Sequence, residues 1–308
     1  MSQAFKNIVV VGGGLVGSAL IQALLDAPEG YSVSVLLRES SEYNPPAGVS
    51  IIKSDFTNES LVKAFSGQDV VASTIAPAAL PDQIKLIDAA IEAGVKRFIP
   101  SEYAGDTRIK AIHPLIPFSV FKFQVFEHLV KNQDKIEWTV FATGAFVDVT
   151  LKTGFLGFDI ANTTAKAWDD KYADATFSAT RLPTVAKVVA QSLSPSLAPK
   201  TANQYIFVRE ATLSLRDLLS ALEKATGSTF TRNDVDFASA AEEGLAKLSR
   251  GDVSGLTYIV ISYLINPQSA TDFDAAGVVS NHLFDLPEVE LQSIVDEVVA
   301  EVKNGKEA

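Results

Sequence analysis

A run of three glycines directly follows a short β-branched segment near the start of the chain. The residues read V-V-V-G-G-G-L-V-G, which contains the spacing G-x-G-x-x-G: Gly12, Gly14 and Gly17, with Leu15 and Val16 inside the motif. Residues 7–11 predict a strand, and residues 15–25 have the apolar spacing of a helix. A strand, a glycine turn and a helix in this order are typical of a dinucleotide-binding unit, in which the glycines allow a tight turn and a close approach to a pyrophosphate. The alternative is a glycine-rich turn that serves helix packing only.

Strand-like and helix-like segments alternate through the first half of the chain. Predicted strands cover residues 7–11, 31–37, 49–52, 70–73, 97–100 and 138–142. Predicted helices cover residues 15–25, 59–65, 81–93 and 118–132. Strands separated by helix-length segments need crossover connections. The pattern therefore predicts an α/β fold with a doubly wound parallel sheet of the Rossmann type.

The alternation of strand-like and helix-like segments stops in the second half, where residues 146–170 show neither helical nor strand periodicity. Helices are predicted at residues 182–193, 213–226, 256–264 and 291–302, and a strand at 204–208 is predicted to return to the first sheet. We therefore expect a dinucleotide-binding domain over residues 1–150, which also receives segments near 182–210. Residues 151–308 are expected to form a smaller α+β substrate-binding domain.

Composition excludes several classes of function. The chain has 26 Lys and Arg against 37 Asp and Glu, a formal charge of −11, and a groove that follows phosphates needs the opposite balance. It has no Cys, which removes disulfides and thiolate chemistry, and its three histidines lie far apart and predict no metal site. No apolar run approaches the ~20 residues that span a bilayer. We expect a cytoplasmic monomer or homodimer that acts on a small molecule.

The end of the second predicted strand indicates which dinucleotide is preferred. An NAD site usually offers an acidic side chain there for the ribose hydroxyl, whereas this chain offers Arg38 in V-L-L-R-E-S-S. A guanidinium pairs with a 2′-phosphate and stacks on adenine, and Ser40 and Ser41 add hydroxyl donors. The sequence therefore predicts NADPH. The alternative is that Arg38 is a solvated residue at a strand end, beside Glu39.

Short-chain dehydrogenases ordinarily carry Y-x-x-x-K on the helix after the fourth or fifth strand. Here Phe118 stands in the tyrosine position and Lys122 in the lysine position. Because phenylalanine has no proton to donate, the pattern disfavours a tyrosine-acid mechanism.

Several segments resemble one known family. Residues 95–106 read V-K-R-F-I-P-S-E-Y-A-G-D, residues 54–71 read S-D-F-T-N-E-S-L-V-K-A-F-S-G-Q-D-V-V, and residues 136–146 read I-E-W-T-V-F-A-T-G-A-F. Together they resemble the isoflavone reductase-like family, which belongs to the NmrA-like group of atypical short-chain dehydrogenases. Two departures stand out. Val11 occupies the place of the family's first loop glycine, and the C-terminal half matches nothing that can be aligned.

The resemblance implies NADPH-dependent hydride transfer to an aromatic or enone-type metabolite, with Lys122 as the catalytic acid or base. Lys122 is also predicted to contact the cofactor, and the alternatives are a surface lysine or a ribose ligand without a chemical role. His113 is a second, weaker proton-carrier candidate in a loop. Asp55 and Phe56 match the family's adenine-side contact, although an ordinary strand-end turn explains them equally well.

Further candidates follow from their place at strand ends. Thr74 and Ile75 follow the fourth predicted strand and Gly144 follows the sixth, where such sheets bind the cofactor. Tyr103 and Phe146 are candidate walls of a substrate pocket, or else core aromatics.

Two other classes of function stay open. A non-catalytic NADP(H)-binding sensor of the NmrA type fits Phe118 as well as an enzyme does, although retention of Lys122 favours the enzyme. An isomerase or epimerase that holds NAD tightly is disfavoured by Arg38 and by the missing tyrosine.

Overall fold

The structure, a computed structural model, describes residues 4–114, 116–168 and 170–305. The chain divides into two compact units of three segments each. The first unit contains Met1–Tyr103, Phe118–Ala142 and Pro183–Ile206, and the second contains Ala104–Pro117, Thr143–Leu182 and Phe207–Ala308. The division into a cofactor domain over residues 1–150 and a substrate domain over residues 151–308 stays a prediction.

The strands of the described residues are β1 (Asn7–Val11), β2 (Ser32–Arg38), β3 (Ser50–Ser54), β4 (Val70–Ser73), β5 (Arg97–Ile99), β6 (Glu137–Ala142), β7 (Ala145–Phe146), β8 (Phe158–Asp159), β9 (Thr164–Trp168), β10 (Phe177–Thr180), β11 (Gln204–Phe207), β12 (Ala211–Leu213) and β13 (Thr231–Val235). The α-helices are α1 (Leu15–Leu25), α2 (Asn58–Phe65), α3 (Gln83–Glu92), α4 (Pro117–Lys131), α5 (Val147–Lys152), α6 (Asp170–Ala173), α7 (Leu182–Gln191), α8 (Ala198–Thr201), α9 (Leu215–Thr226), α10 (Phe237–Ser249), α11 (Gly255–Leu264) and α12 (Leu291–Lys303).

Seven strands form the main sheet in the order β11-β6-β5-β4-β1-β2-β3. Neighbouring strands from β3 across to β6 run parallel. The chain builds outward from β1 to β3 and then crosses to the other side of β1 to lay down β4, β5 and β6. The crevice between the carboxyl ends of β1 and β4 is therefore the point where the winding direction reverses, and open α/β sheets bind ligands there. The predicted α/β fold with a doubly wound parallel sheet is confirmed.

Both faces of the sheet are covered. Val9 and Val11 of β1 lie in one buried cluster with side chains of α2, α3 and α4. Ile8 and Val10 point to the opposite face by the alternation of a strand, and they are equally buried. Strands buried on both faces appear in the sequence as continuous apolar runs, which is why V-V-V before the glycines is a strong strand signal.

The segment that returns to the sheet is fixed by a buried arginine. Arg97 of β5 is 1% exposed, and its guanidinium lies 2.6 Å from Glu137 Oε2. It also donates to Thr201 Oγ1 at 3.0 Å and to the carbonyl of Ala198 at 2.7 Å. A buried charge without partners is costly, so the Arg97 guanidinium needs all of these contacts. They hold α8 against β5 and β6.

The second unit carries two three-stranded sheets, β12-β10-β7 and β13-β9-β8. Its helix α9 starts with a capping box, in which Ser214 accepts from the Asp217 N–H, and ends at Gly227 in the left-handed region. The helices predicted near 213–226, 256–264 and 291–302 are present as α9, α11 and α12. Residues 146–170 contain the end of β7, all of α5, β8 and β9, and the start of α6, none of which the sequence indicated. β7 and β8 have two residues each, too few for a readable period.

Within residues 4–114, 116–168 and 170–305, no helix has both the length and the apolar character that crossing a bilayer requires.

Candidate active site

The glycine turn after β1 is fastened by the end of β4. Gly12 has a φ of +100°, a conformation that side chains disfavour. Its N–H donates to the Leu36 carbonyl at 3.0 Å. The Thr74 hydroxyl lies 3.0 Å from the carbonyl of Val11 and 3.1 Å from that of Gly12. Thr74 therefore holds the turn at the switch point of the sheet.

The other two motif glycines differ in what surrounds them. A Cβ on Gly17 would lie 2.1 Å from the Gly12 carbonyl oxygen, so this glycine allows α1 to pack tightly against the turn. A Cβ on Gly14 would meet nothing within 4 Å. Gly14 is the N-cap of α1 and provides no side-chain cap, and the first turn of the helix has no acidic residue. The N–H groups at this helix start are therefore available to an anion.

A cavity of about 690 Å³ opens beside this turn in the first unit. Eight predicted cofactor residues line it: Gly12, Gly14, Leu15, Val16, Arg38, Phe56, Thr74 and Ile75. Ser40, Ser41 and Ser101 also line it, together with the segment from Ala76 to Ala79. Residues that the sequence places at four separate strand ends therefore meet at one cavity.

Four predicted cofactor residues stand outside the lining of this cavity: Gly17, Asp55, Lys122 and Gly144. Gly17 lies behind the turn, as its contact with Gly12 requires. Asp55 accepts hydrogen bonds from the Thr57 N–H at 3.0 Å and the Thr57 hydroxyl at 2.8 Å. These bonds hold the pKa of Asp55 below its ordinary value. Its carboxylate shapes the turn into α2, whose N-cap is Thr57.

The rim at the end of β2 is cationic. The Arg38 guanidinium lies 5.8 Å from the centre of the Phe56 ring, and among the described residues no carboxylate forms an ion pair with Arg38. Lys53 is exposed and lies beside Leu37 in the parallel register of β2 and β3, and its amine donates to the carbonyl of Ser41. Sequence reasoning missed Lys53, because its nearness to Arg38 depends on the strand pairing.

The glycine loop has a second neighbour that the sequence did not indicate. The Tyr43 ring lies against Gly13, where a Cβ would come within 2.3 Å of Tyr43 Cδ1. The middle glycine of the triplet therefore makes room for an aromatic side chain from the β2–β3 loop.

Lys122 is buried in α4, with 8% of its surface exposed. Its amine donates to the backbone carbonyl of Glu102 and lies 4.0 Å from Glu102 Oε1. Burial lowers the pKa of Lys122, and the charge of Glu102 acts against that shift. A lysine with a lowered pKa is suited to proton transfer near neutral pH.

The segment that presents Glu102 also borders the cavity. The Ser101 N–H donates to Gln83 Oε1 at 2.7 Å, and the Ser101 hydroxyl donates to the carbonyl of Ile75 at 3.0 Å. The Tyr103 N–H donates to the Phe141 carbonyl at 3.0 Å, and Tyr103 has a φ of +42°. The Tyr103 phenol is buried, and burial raises its pKa.

The remaining candidates belong to the second unit. Gly144 has a φ of +64°, and a Cβ there would lie 1.9 Å from the Ser178 carbonyl oxygen, so close packing against β10 explains this glycine. Phe146 ends β7 and is the N-cap of α5. The His113 ring bonds through Nε2 to the Thr107 carbonyl at 2.9 Å. Among the described residues, no cluster of three or more His, Asp or Glu is placed to hold a metal ion.

Comparison with protein families gives a match to the NmrA-like family over residues 5–249. "Oxidoreductase aprR" of Aspergillus flavus is 34% identical over 304 residues, which cover 97% of this chain and 99% of that protein. "Isoflavone reductase homolog" of Solanum tuberosum is 30% identical over 257 residues, which cover 75% of this chain and 78% of that protein.

Solved structures share the fold at lower identity. "AtPrR2 with NADP+ and (+)pinoresinol" has a TM-score of 0.75 at 20% identity and covers 97% of this chain and 100% of its own. The leucoanthocyanidin reductase–NADPH complex from Vitis vinifera has a TM-score of 0.76 at 18% identity and covers 96% of this chain and 100% of its own. Both solved relatives hold the phosphorylated dinucleotide, which is the form that Arg38 predicts for this chain. By the family match and the full-length relative together, the chain belongs to the NmrA-like family and is an oxidoreductase of its isoflavone reductase-like group.

Proposed function

We propose that the chain is an NADPH-dependent reductase that transfers hydride to a small aromatic or enone-type metabolite, with Lys122 as the acid or base at the substrate oxygen. The main support for this proposal is that Lys122 of α4 is buried. A protein that only binds dinucleotide has no need to bury an amine, since burial destabilises its charge.

The cavity residues fit the phosphates of NADPH. Gly14 offers open space at the start of α1, where unpaired N–H groups and the positive end of the helix dipole favour a pyrophosphate. Arg38 fits the 2′-phosphate because a guanidinium pairs with it through parallel hydrogen bonds. Ser40, Ser41 and Lys53 surround that position with further donors.

When bound, the nicotinamide supplies the hydride. Lys122 holds and moves the proton, and the fixed carbonyl of Glu102 determines where its amine stands. Phe118 lies one turn earlier on α4 and has no proton to donate. This chain therefore cannot use the tyrosine acid of ordinary short-chain dehydrogenases. By their position after β4, Thr74 and Ile75 would contact the cofactor, and Tyr103 is proposed to contact the substrate.

The substrate type is inferred from the relatives' names and from the aromatic candidates. Besides the potato protein, relatives include "Phenylcoumaran benzylic ether reductase POP1" of Populus trichocarpa, 31% identical over 250 residues. Phe146 stays a predicted substrate residue and Gly144 a predicted cofactor residue, and both belong to the second unit.

The other candidate is a sensor of the NmrA type that binds NADPH without chemistry. Phe118 is compatible with a sensor, whereas the burial of Lys122 favours an enzyme.

A substitution at Lys122 tests the proposal. We expect Lys122→Met, which keeps the length and apolar stem of the side chain, to lose turnover by a factor of about 100 or more while NADPH affinity changes less than about threefold. Lys131→Met, at the exposed end of the same helix, is the matched control and should leave both unchanged. Loss of NADPH affinity in Lys122→Met without a loss of turnover at saturating cofactor would identify Lys122 as a cofactor ligand and refute its chemical role.

A further inference from the structure

The lysine of α4 and the acid of the β5–α4 segment, Lys122 and Glu102, lie within reach of each other's charge. Glu102 is 4% exposed and Lys122 is 8% exposed. Two opposite charges in such buried surroundings stabilise one another. The charge of Glu102 therefore favours the protonated form of Lys122.

We propose that Glu102 is a positioning residue for Lys122, and that its carboxylate and its backbone carbonyl together keep the buried amine protonated and fixed at one point. Lys122 then rests as an ammonium that donates a proton, rather than as a free amine that accepts one. The inference rests on the proposed function, in which Lys122 carries the proton, and it goes further by stating the resting charge and the group that sets it.

Distances within the pair separate the two roles of Glu102. The backbone carbonyl takes one N–H of the ammonium in a hydrogen bond. Oε1 lies 4.0 Å from the amine nitrogen, which is within reach of the charge but beyond a hydrogen bond. The carboxylate therefore stabilises the ammonium without accepting its proton. An ammonium has three N–H groups, and the carbonyl of Glu102 takes one of them.

The carbonyl that receives the ammonium is held in place by backbone contacts. The Glu102 N–H donates to the Pro100 carbonyl at 2.9 Å, and the Tyr103 N–H donates to the Phe141 carbonyl at 3.0 Å. Ser101 is anchored on Gln83 and Ile75, as described above. The segment is thus fixed on both sides of Glu102, and so is the point to which it draws the amine.

Other ionisable groups nearby do not replace Glu102 in this role. Within the described part of the chain, Glu102 is the charged group that shifts the pKa of Lys122 against burial. His128, further along α4, bonds through its ring to Asp88 at 2.7 Å. Tyr103 is a buried phenol whose pKa is raised, so it stays neutral.

The test measures the pKa of Lys122 directly and needs no substrate. Protein labelled with ¹³C at lysine Cε is titrated by NMR, and the Lys122 signal is assigned by its absence from Lys122→Met. We expect Glu102→Gln to lower the pKa of Lys122 by about one to three pH units, since an opposite charge at this distance shifts a pKa by that amount. Glu102→Asp, which keeps the charge on a shorter stem, should lower it by less. Glu127→Gln, at an exposed position of the same helix, is the control and should leave it unchanged.

Each result decides the proposal. An unchanged or raised Lys122 pKa in Glu102→Gln would overturn it. If the Gln variant does not fold, Glu102→Asp carries the test alone, and a Lys122 pKa equal to that of the wild type would overturn the proposal. Turnover of Lys122→Met is a separate measurement: full turnover there would refute the proposed function even if Glu102 controls the lysine.

Discussion

Replacing Gly17 by alanine tests how the dinucleotide turn is built. The new Cβ would lie 2.1 Å from the Gly12 carbonyl oxygen and 2.7 Å from Thr74 Oγ1. The first of these is backbone and cannot turn away, so α1 must move from β1 to make room. Overpacking of this kind costs about 1–3 kcal/mol, and a loss of about 2 kcal/mol lowers the melting temperature by roughly 4–8 °C in a unit of this size.

Gly14→Ala is the matched comparison. Its Cβ meets no protein atom within 4 Å, so the only expected loss of stability is that alanine is a poorer N-cap than glycine, and the melting temperature should fall less than in Gly17→Ala. The methyl group would stand in the cavity at the start of α1, and we expect NADPH affinity to fall about tenfold. Melting is followed by circular dichroism and NADPH binding by nicotinamide fluorescence. A Gly17→Ala protein that melts like the wild type, or a Gly14→Ala protein that binds NADPH normally, would refute this account of the turn.

Three further substitutions test other parts of the first unit. Arg38→Ala should weaken NADPH binding by about 10- to 100-fold, the effect of losing a charged hydrogen-bond pair, and leave NADH binding unchanged in the same fluorescence titration; an equal loss for both would show that Arg38 does not contact the 2′-phosphate. Gly13→Ala should lower the melting temperature by displacing the Tyr43 ring, and adding Tyr43→Ala should cause no further loss, whereas additive losses would contradict the contact. Asp69 is partly buried, which raises its pKa, but the bond from Lys96 at 2.6 Å and two backbone N–H groups outweigh burial and leave it lowered. Because its pKa is lowered, the ionised carboxylate of Asp69 stabilises the fold above about pH 4, and this contribution is lost as the pH falls through the lowered value. Asp69→Asn should therefore be less stable than the wild type in urea at neutral pH. The difference in stability should shrink below about pH 4.

The first unit could be predicted because local and global signals agree there. The β-branched run before Gly12 and the apolar spacing after Gly14 give β1 and α1 with the bounds that the structure has. The prediction of α3 began at Pro81, whereas the structure has a 3₁₀ helix over Pro77–Asp82 and starts α3 at Gln83. Two prolines in that segment remove the N–H groups that an α-helix needs, which explains the later start.

The contacts that shape the site could not be predicted, because they join residues far apart in the chain. Glu102 and Lys122 are separated by 20 positions, and the sequence shows each of them without the other. Lys53 comes close to Arg38 only through the register of β2 and β3. In the second unit, strands of two or three residues leave no period, so β7, β8 and β12 had no signal to detect.

Oxidation of NADPH by the wild-type protein shows whether the chain is a reductase. The reaction is followed by nicotinamide absorbance with enones, phenolic quinone-methide precursors and aromatic aldehydes as acceptors. We expect turnover with one of these classes, faster with NADPH than with NADH. Tight binding of NADPH without oxidation by any acceptor class would contradict the reductase and favour the sensor.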